Sequence, residues 1–180
     1  MDGSNLRFEW SKKQGWYKFG TRTKLIDDSD VVFYPAIALF KETLADDIEK
    51  VATAHKWESV VAYAEFYGKH SFAGQHVEED EKHLNLFDIS PYKRGILYPV
   101  QYLDLFGHLN IAKYLGKYEW NEDFVERVKN FELEGITFEG VVGKSVRNNT
   151  LYMVKAKTQK WIEKVQEKFT KNEAEQIINS

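Results

Sequence analysis

Four short groups of chemically capable residues stand far apart in this 180-residue sequence. Met1-Asp2-Gly3-Ser4 opens it, and Glu65-Phe66-Tyr67-Gly68 follows. Glu139-Gly140-Val141-Val142 comes late, with Lys144 close behind, and Lys155-Ala156-Lys157 lies near the end. Lys155 and Lys157 are two positions apart, so on a strand their side chains share a face. Glu65 shares a strand face with Tyr63 and Tyr67 by the same alternation. Two cations on one face suit negative charge. Aromatic residues make up 15% of the chain, enough to serve a flat ligand as well as a core.

Each group also has a plain structural reading. Asp2-Gly3 alone is a turn, and Glu65 between aromatics can be an edge-strand carboxylate facing water. Phe87 can be core, and Glu139-Gly140 a strand entry with a bulge. Lys155 and Lys157 can be the solvated face of an edge strand. The order and spacing of all four groups are far more specific than any one of them. The histidines (His55, His70, His76, His83, His108) show no recognised metal-ligand spacing and read as surface or core residues. Glu78-Glu79-Asp80-Glu81 reads as a solvated acidic loop.

The elements that must position these residues are legible in outline. Leu6 to Trp10 alternates, and Trp16 to Gly20 answers it across a polar turn with Gly15, which predicts a hairpin. Ile37, Phe40, Leu44, Ile48 and Val51 describe the buried face of one amphipathic helix ending near Trp57. Ser59 to Tyr67 predicts a strand stopped by Gly68, and His83 to Ile89 another. Asn121 can cap a short helix that buries Phe124, Val128 and Phe131. Ile136 to Val142 and Leu151 to Ala156 predict strands joined through Asn148-Asn149. The last helix starts near Thr158 and buries Trp161, Val165 and Phe169. Strands and helices are segregated rather than strictly alternating, which predicts α+β with a largely antiparallel sheet.

Composition narrows the classes. Apolar residues at 43% and charged residues at 29% are the balance of a soluble globular domain. A net charge of -3 argues against bulk attraction to nucleic acid, so any such contact needs a local cluster of Lys and Arg. The absence of cysteine excludes a disulfide framework and a Cys-ligated zinc site, and it fits a reducing, cytoplasmic setting. No apolar run is long enough to span a bilayer, and the first residues do not resemble a signal peptide. No membrane association or protein partner is expected.

In their order, the four groups resemble the motifs of the covalent nucleotidyltransferases, the family of DNA ligases, RNA ligases and mRNA capping enzymes. The family's Lys-x-Asp-Gly is similar to Met1-Asp2-Gly3, its third element to Glu65 through Gly68, and its adenine-stacking strand to Leu86-Phe87-Asp88-Ile89. Its Glu-Gly-x-Val is matched at Glu139 to Val142, and its Lys-x-Lys at Lys155 and Lys157. Phe87-Asp88-Ile89, and a Lys-x-Lys followed by a Trp-bearing helix, look most like ATP-dependent RNA ligases. The resemblance runs from Met1 to about Phe169.

It implies an α+β nucleotidyltransferase (ATP-grasp-like ligase) domain, with twisted, mainly antiparallel sheets and flanking helices around an ATP cleft. It implies joining of 5′-phosphate and 3′-hydroxyl RNA ends, with ATP and Mg²⁺ (or Mn²⁺) as cofactors and RNA ends as partner. In the family a lysine first takes AMP from ATP, AMP then moves to the 5′-phosphate, and the 3′-hydroxyl finally expels it. Asp2 and Gly3 would belong to the catalytic motif. Lys155 and Lys157 would contact the α-phosphate and stabilise charge building in the transition state. Glu139 would hold the metal, since Mg²⁺ takes one or two carboxylates plus phosphate and water. Glu65 would accept a hydrogen bond from a ribose hydroxyl, and Phe87 would stack on adenine. Arg22 corresponds to an arginine that holds a phosphate or the RNA end, and Arg7 and Lys144 are further basic candidates for the nucleotide.

Two expectations concern extent. The family's nucleophilic lysine would precede Met1, so the chain is expected to be N-terminally truncated and to lack self-adenylylation, while ATP binding and sealing of an already adenylylated end are retained. Nothing after the helix near Phe169 is left for the OB domain of DNA ligases and capping enzymes, so 1–180 is expected to be a single RNA ligase nucleotidyltransferase domain. The alternatives are a catalytically inactive nucleotide- or RNA-end-binding module, and a DNA ligase or capping-type enzyme.

Overall fold

Residues 3–27, 29–69 and 79–179 are described by a computed structural model. They form two compact units, one of residues 3–69 and 79–112 and one of residues 113–179.

The first unit is built on five strands in the order β3-β2-β1-β4-β5, all neighbours antiparallel. They are β1 (Ser4–Ser11), β2 (Gly15–Thr21), β3 (Leu25–Ile26), β4 (Ser59–Tyr67) and β5 (His83–Pro91). The expected hairpin is β1–β2, closed where Gly15 takes a φ of 66°. Alternation assigns the faces. Leu6, Phe8 and Trp10 of β1, and Val60, Ala62, Ala64 and Phe66 of β4, enter the core with Leu84, Leu86 and Ile89 of β5. Arg7, Glu9, Val61, Tyr63, Glu65 and Tyr67 are left on the other face, half-buried. β4 stops at Gly68, whose φ of 126° and approach to the Glu81 carbonyl leave no room for a Cβ.

The helix predicted over Ile37 to Trp57 is two helices, α1 (Tyr34–Thr43) and α2 (Ala45–Ala54), broken at Leu44 with φ -130° and ψ -30°. Thr43 Oγ1 bonds back to the Leu39 carbonyl at 2.7 Å, a bond that bends helices. At the break the Trp16 indole N–H donates to the Ala45 carbonyl at 3.3 Å. The bend keeps the apolar series buried: Ile37, Phe40, Leu44 and Ile48 all enter the core. Phe40 stacks on Phe8 with ring centres 3.9 Å apart, which docks α1 on the sheet. A helix not foreseen, α3 (Pro99–Phe106), begins with proline in its first turn and covers β5 through Tyr102, whose hydroxyl donates to the Leu86 carbonyl at 2.9 Å.

The second unit contains α4 (Glu122–Lys129), the antiparallel hairpin β6 (Gly140–Arg147) and β7 (Thr150–Lys157), then α5 (Gln159–Lys168) and α6 (Lys171–Ile178). Asn121 caps α4 by accepting from the Phe124 N–H at 2.9 Å. Phe124 and Val128 are buried, but Phe131 is 41% exposed because the chain reverses there with a φ of 63°. The strand expected from Ile136 starts only at Gly140, since Ile136 and Leu133 turn in to join the α4 core. Asn148 and Asn149, with φ of 49° and 58°, form the hairpin turn, as their tolerance of left-handed backbone allows. Thr158 caps α5 through the Trp161 N–H, and Trp161 and Val165 are buried; Phe169 is only partly so. α6 is an addition to the expected elements, started by a capping box between Thr170 and Glu173.

Candidate functional site

In the second unit a two-residue turn sets the register of the β6–β7 hairpin. Gly140 opposes Lys157, Val142 opposes Lys155, and Lys144 opposes Met153. Opposed residues in an antiparallel pair share a face. Lys144, Lys155 and Lys157 therefore lie on one face of the hairpin. The other face carries Val141 and Ala156, which pack with Phe124 and Val128 of α4. Lys155 is exposed, Lys144 half-buried, and the Lys157 side chain only 11% exposed.

Glu139 is held at the mouth of this face by backbone bonds. Its carbonyl accepts the Thr158 N–H at 3.0 Å, and the Thr158 hydroxyl donates to the neighbouring Phe138 carbonyl. Thr158 is fully buried and also caps α5, so one residue ties the approach to β6 to the start of the helix. The Glu139 carboxylate stands 3.4 Å from the Lys157 ammonium. Gly140 brings the two strands together with a φ of 137°; a Cβ there would lie 2.1 Å from the Ala156 carbonyl oxygen. The Glu-Gly pair thus has a physical reason: the glycine permits the approach that sets Glu139 beside Lys157.

In the first unit, Gly3, Arg7, Glu65 and Phe87 lie on or beside the sheet face opposite the core. Glu65 Oε1 accepts the Gly3 N–H at 3.0 Å, so it anchors the backbone of the first motif. A carboxylate has lone pairs for several donors, so this bond is compatible with a second one. Gly3 sits so close to β4 that a Cβ would be 2.2 Å from the Phe66 carbonyl oxygen. Arg7 lies over Gly20 and within 3.4 Å of the Glu9 carboxylate, which Lys18 also approaches at 3.2 Å.

Phe87 is not core. The β4–β5 register shifts so that Tyr63 opposes Asp88 while Ala64 opposes Leu86, which makes Phe87 the extra residue of a bulge. Its ring is 6.3 Å from that of Tyr63 at 31°, and both side chains are half-buried on the sheet face opposite the first unit's core. Burial, then the nearby Glu65 charge, raises the Tyr67 phenol above its ordinary pKa against the pull of its bond to Asn85. Arg22 is exposed in the turn between β2 and β3. Asp2 lies outside the described residues, as do His70 and His76.

Two residues named in the sequence were given no role of their own there. Asp88 is 4% exposed, an uncommon position for a carboxylate, and its charge adds to the burial that drives the Tyr102 phenol far upward. An acid in the middle of an apolar strand was the available signal. Thr158 was legible as a cap, but its tie to the Glu139 segment was not.

No protein-family model matches the sequence, and no curated protein matches it. Among solved structures the chain is similar to a Naegleria gruberi RNA ligase solved with PPi, with a TM-score of 0.68 at 15% identity. The match covers 93% of this chain and 50% of that one, so the chain spans about half the length of that ligase. The fold is RNA-ligase-like. The expected mixed α+β class with antiparallel sheets is therefore observed. Among the described residues, no group of three or more His, Cys, Asp or Glu side chains is arranged to hold a metal, and no helix is long and apolar enough to cross a membrane.

Proposed function

We propose that this chain is the nucleotidyltransferase part of an ATP-dependent RNA ligase, acting on 5′-phosphate and 3′-hydroxyl RNA ends. The observation that carries the reading is the hairpin face on which Lys144, Lys155 and Lys157 lie together, with Glu139 against Lys157, in an RNA-ligase-like fold. Three cations on one small surface have the chemistry to hold phosphates. They also stabilise the charge that builds on phosphoryl oxygens as one bond to phosphorus forms and another breaks.

In the sealing step the 3′-hydroxyl oxygen bonds to the 5′ phosphorus and gives up its proton to solvent, as the bond from that phosphorus to the AMP phosphate breaks and AMP leaves. Lys155 is the exposed cation of this face, and Lys157, beside Glu139, the largely buried one. Glu65 orients a ribose hydroxyl, and Phe87 with Tyr63 takes the adenine face. Arg7 and Lys144 add charge for the nucleotide, and Arg22 serves the RNA end. Glu139 is a single, part-exposed carboxylate, a donor set that fits Mg²⁺ or Mn²⁺ only when phosphate oxygens and waters complete the shell. Such an ion would supply further positive charge at the phosphate.

The experiment offers the protein a 5′-adenylylated RNA strand, an acceptor with a free 3′-hydroxyl, and Mg²⁺. Joining is expected, and it should be lost in Lys155→Ala and Lys157→Ala. Joining of adenylylated DNA equally well would move the reading to a DNA ligase. ATP binding without any joining would leave a nucleotide-binding module, and neither binding nor joining would end the ligase reading.

A further inference from the structure

A chain with a net charge of -3 can hold a polyanion only where its cations are gathered locally. The fold gathers five at one end of the five-stranded sheet. β1 ends at Ser11 opposite the start of β4 at Ser59, and Pro91 at the end of β5 opposes Val60. The β1–β2 turn brings Lys12 and Lys13, the α2–β4 connection brings Lys56, and the stretch after β5 brings Lys93 and Arg94. Backbone bonds lace these connections together: Lys12 N–H donates to the Glu58 carbonyl at 3.0 Å, and Tyr92 N–H to the Ser59 carbonyl at 2.9 Å.

All five cations are exposed, and none is in an ion pair among the described residues. Glu58 is the one carboxylate in these connections. A second observation points the same way. Lys56 and Lys93 hold φ of 54° and 61°, backbone that glycine or asparagine adopts at lower cost. Lysine occupies both positions, in neighbouring connections. Beside them Tyr92 is 62% exposed, with the Lys93 ammonium 5.2 Å from the centre of its ring.

We infer that this basic end of the sheet binds the sugar-phosphate backbone of an RNA strand, away from the end where Gly3 meets Glu65. The choice of RNA as the polyanion rests on the proposed ligase reading; the gathering of charge does not. Lysines and an arginine on flexible stems make phosphate contacts without reading sequence, and an exposed tyrosine can stack on any base. β4 sets the scale, since the stretch from Ser59 to Glu65 spans about 20 Å at the usual strand rise. Only a strand of several nucleotides can touch both ends.

The test combines Lys12→Gln, Lys13→Gln, Lys56→Asn, Lys93→Asn and Arg94→Gln in the whole chain, with asparagine chosen where the backbone is left-handed. Fluorescence anisotropy then follows a 20-nucleotide single-stranded RNA and a 4-nucleotide one across a salt series. Affinity for the long strand should fall about tenfold or more at low salt, and the slope of log K against log salt should shrink by about 2, as for loss of roughly three phosphate contacts. The short strand should be unaffected. Should the fivefold variant unfold, Lys12→Gln with Lys13→Gln alone should show a proportionate part of the loss.

Three results would overturn the inference. One is unchanged long-strand affinity and slope. Another is an equal loss on removing the exposed Lys41, Lys50, Lys117, Lys160 and Lys171 instead. The third is binding of this surface to anionic lipid vesicles but not to RNA. Length-dependent RNA binding without any sealing would sustain this surface while removing the ligase reading.

Discussion

The Lys157 ammonium lies 4.0 Å from the centre of the Trp161 ring. The same ammonium also meets the Glu139 carboxylate and the Ile177 carbonyl, each at 3.4 Å. Trp161 is the first buried residue of α5, so the helix that follows the hairpin holds one of its lysines in place. Trp161→Leu keeps an apolar side chain in the α5–α6 core and removes the π face. A partly desolvated cation–π contact is worth about 1–2 kcal/mol, so sealing of adenylylated RNA should slow roughly fivefold to thirtyfold. An unchanged rate in a folded variant would deny the ring any part in placing Lys157.

Lys155 is exposed and serves no core, so Lys155→Ala should leave the melting temperature within a degree or two. The sealing rate should nevertheless fall by about two to three orders of magnitude, the usual scale for losing one charge-stabilising donor. Single-turnover kinetics beside a thermal melt separates the two effects. Comparable losses in both would make Lys155 a structural residue.

Gly140 and Gly15 both have positive φ but differ in their surroundings. A Cβ at Gly15 meets nothing within 4 Å, while one at Gly140 falls 2.1 Å from the Ala156 carbonyl oxygen. Gly15→Ala should cost about 1–2 kcal/mol, the ordinary left-handed penalty. Gly140→Ala should cost several kcal/mol, or open the start of the hairpin, because backbone must move. Chemical denaturation of the two variants gives the comparison.

Arg7 presents a different balance. Its Nε is shut off from solvent without a hydrogen-bond acceptor, although the Glu9 carboxylate is 3.4 Å away, because distance without alignment makes an ion pair but no hydrogen bond. Arg7→Met removes that unsatisfied donor along with a part-exposed pair, so stability should change by less than about 1 kcal/mol. ATP affinity, read by calorimetry, should fall about tenfold if Arg7 serves the nucleotide, and stay level if it does not.

Asp30 should show in the acid limb of stability. Its hydrogen bond from Lys24, then that from the Phe33 N–H, holds its carboxyl below the ordinary value. A carboxyl with a folded pKa below its unfolded one stabilises the fold above the unfolded pKa, and that contribution is lost as pH falls through the folded value. Melting temperatures between pH 6 and pH 2 should therefore fall less steeply below about pH 4 in Asp30→Asn than in the unaltered protein. Parallel curves would remove Asp30 as a source of acid sensitivity.

Much of the candidate site was written in local patterns. Alternation is a property of the strand itself, so Leu6 to Trp10 and Ser59 to Tyr67 could be read with their faces assigned. Asn148-Asn149 as a two-residue turn sets the whole register of β6 and β7, and with it the shared face of Lys144, Lys155 and Lys157. The Thr170-x-x-Glu173 capping box was equally readable, and α6 could have been predicted from it.

The sequence by itself determined most of the strands, the caps at Asn121 and Thr158 and the shared face of Lys155 and Lys157, because those depend on periods of two and on turns a few residues long. Only the tertiary structure decided that the long helix breaks at Leu44, that Phe131 turns outward, and that Phe87 sits in a bulge beside Tyr63. It also brought Trp161 under Lys157 and three distant turns to one end of the sheet. Each of these arises from packing between segments far apart in the chain, where neighbouring residues carry no record of what they will meet.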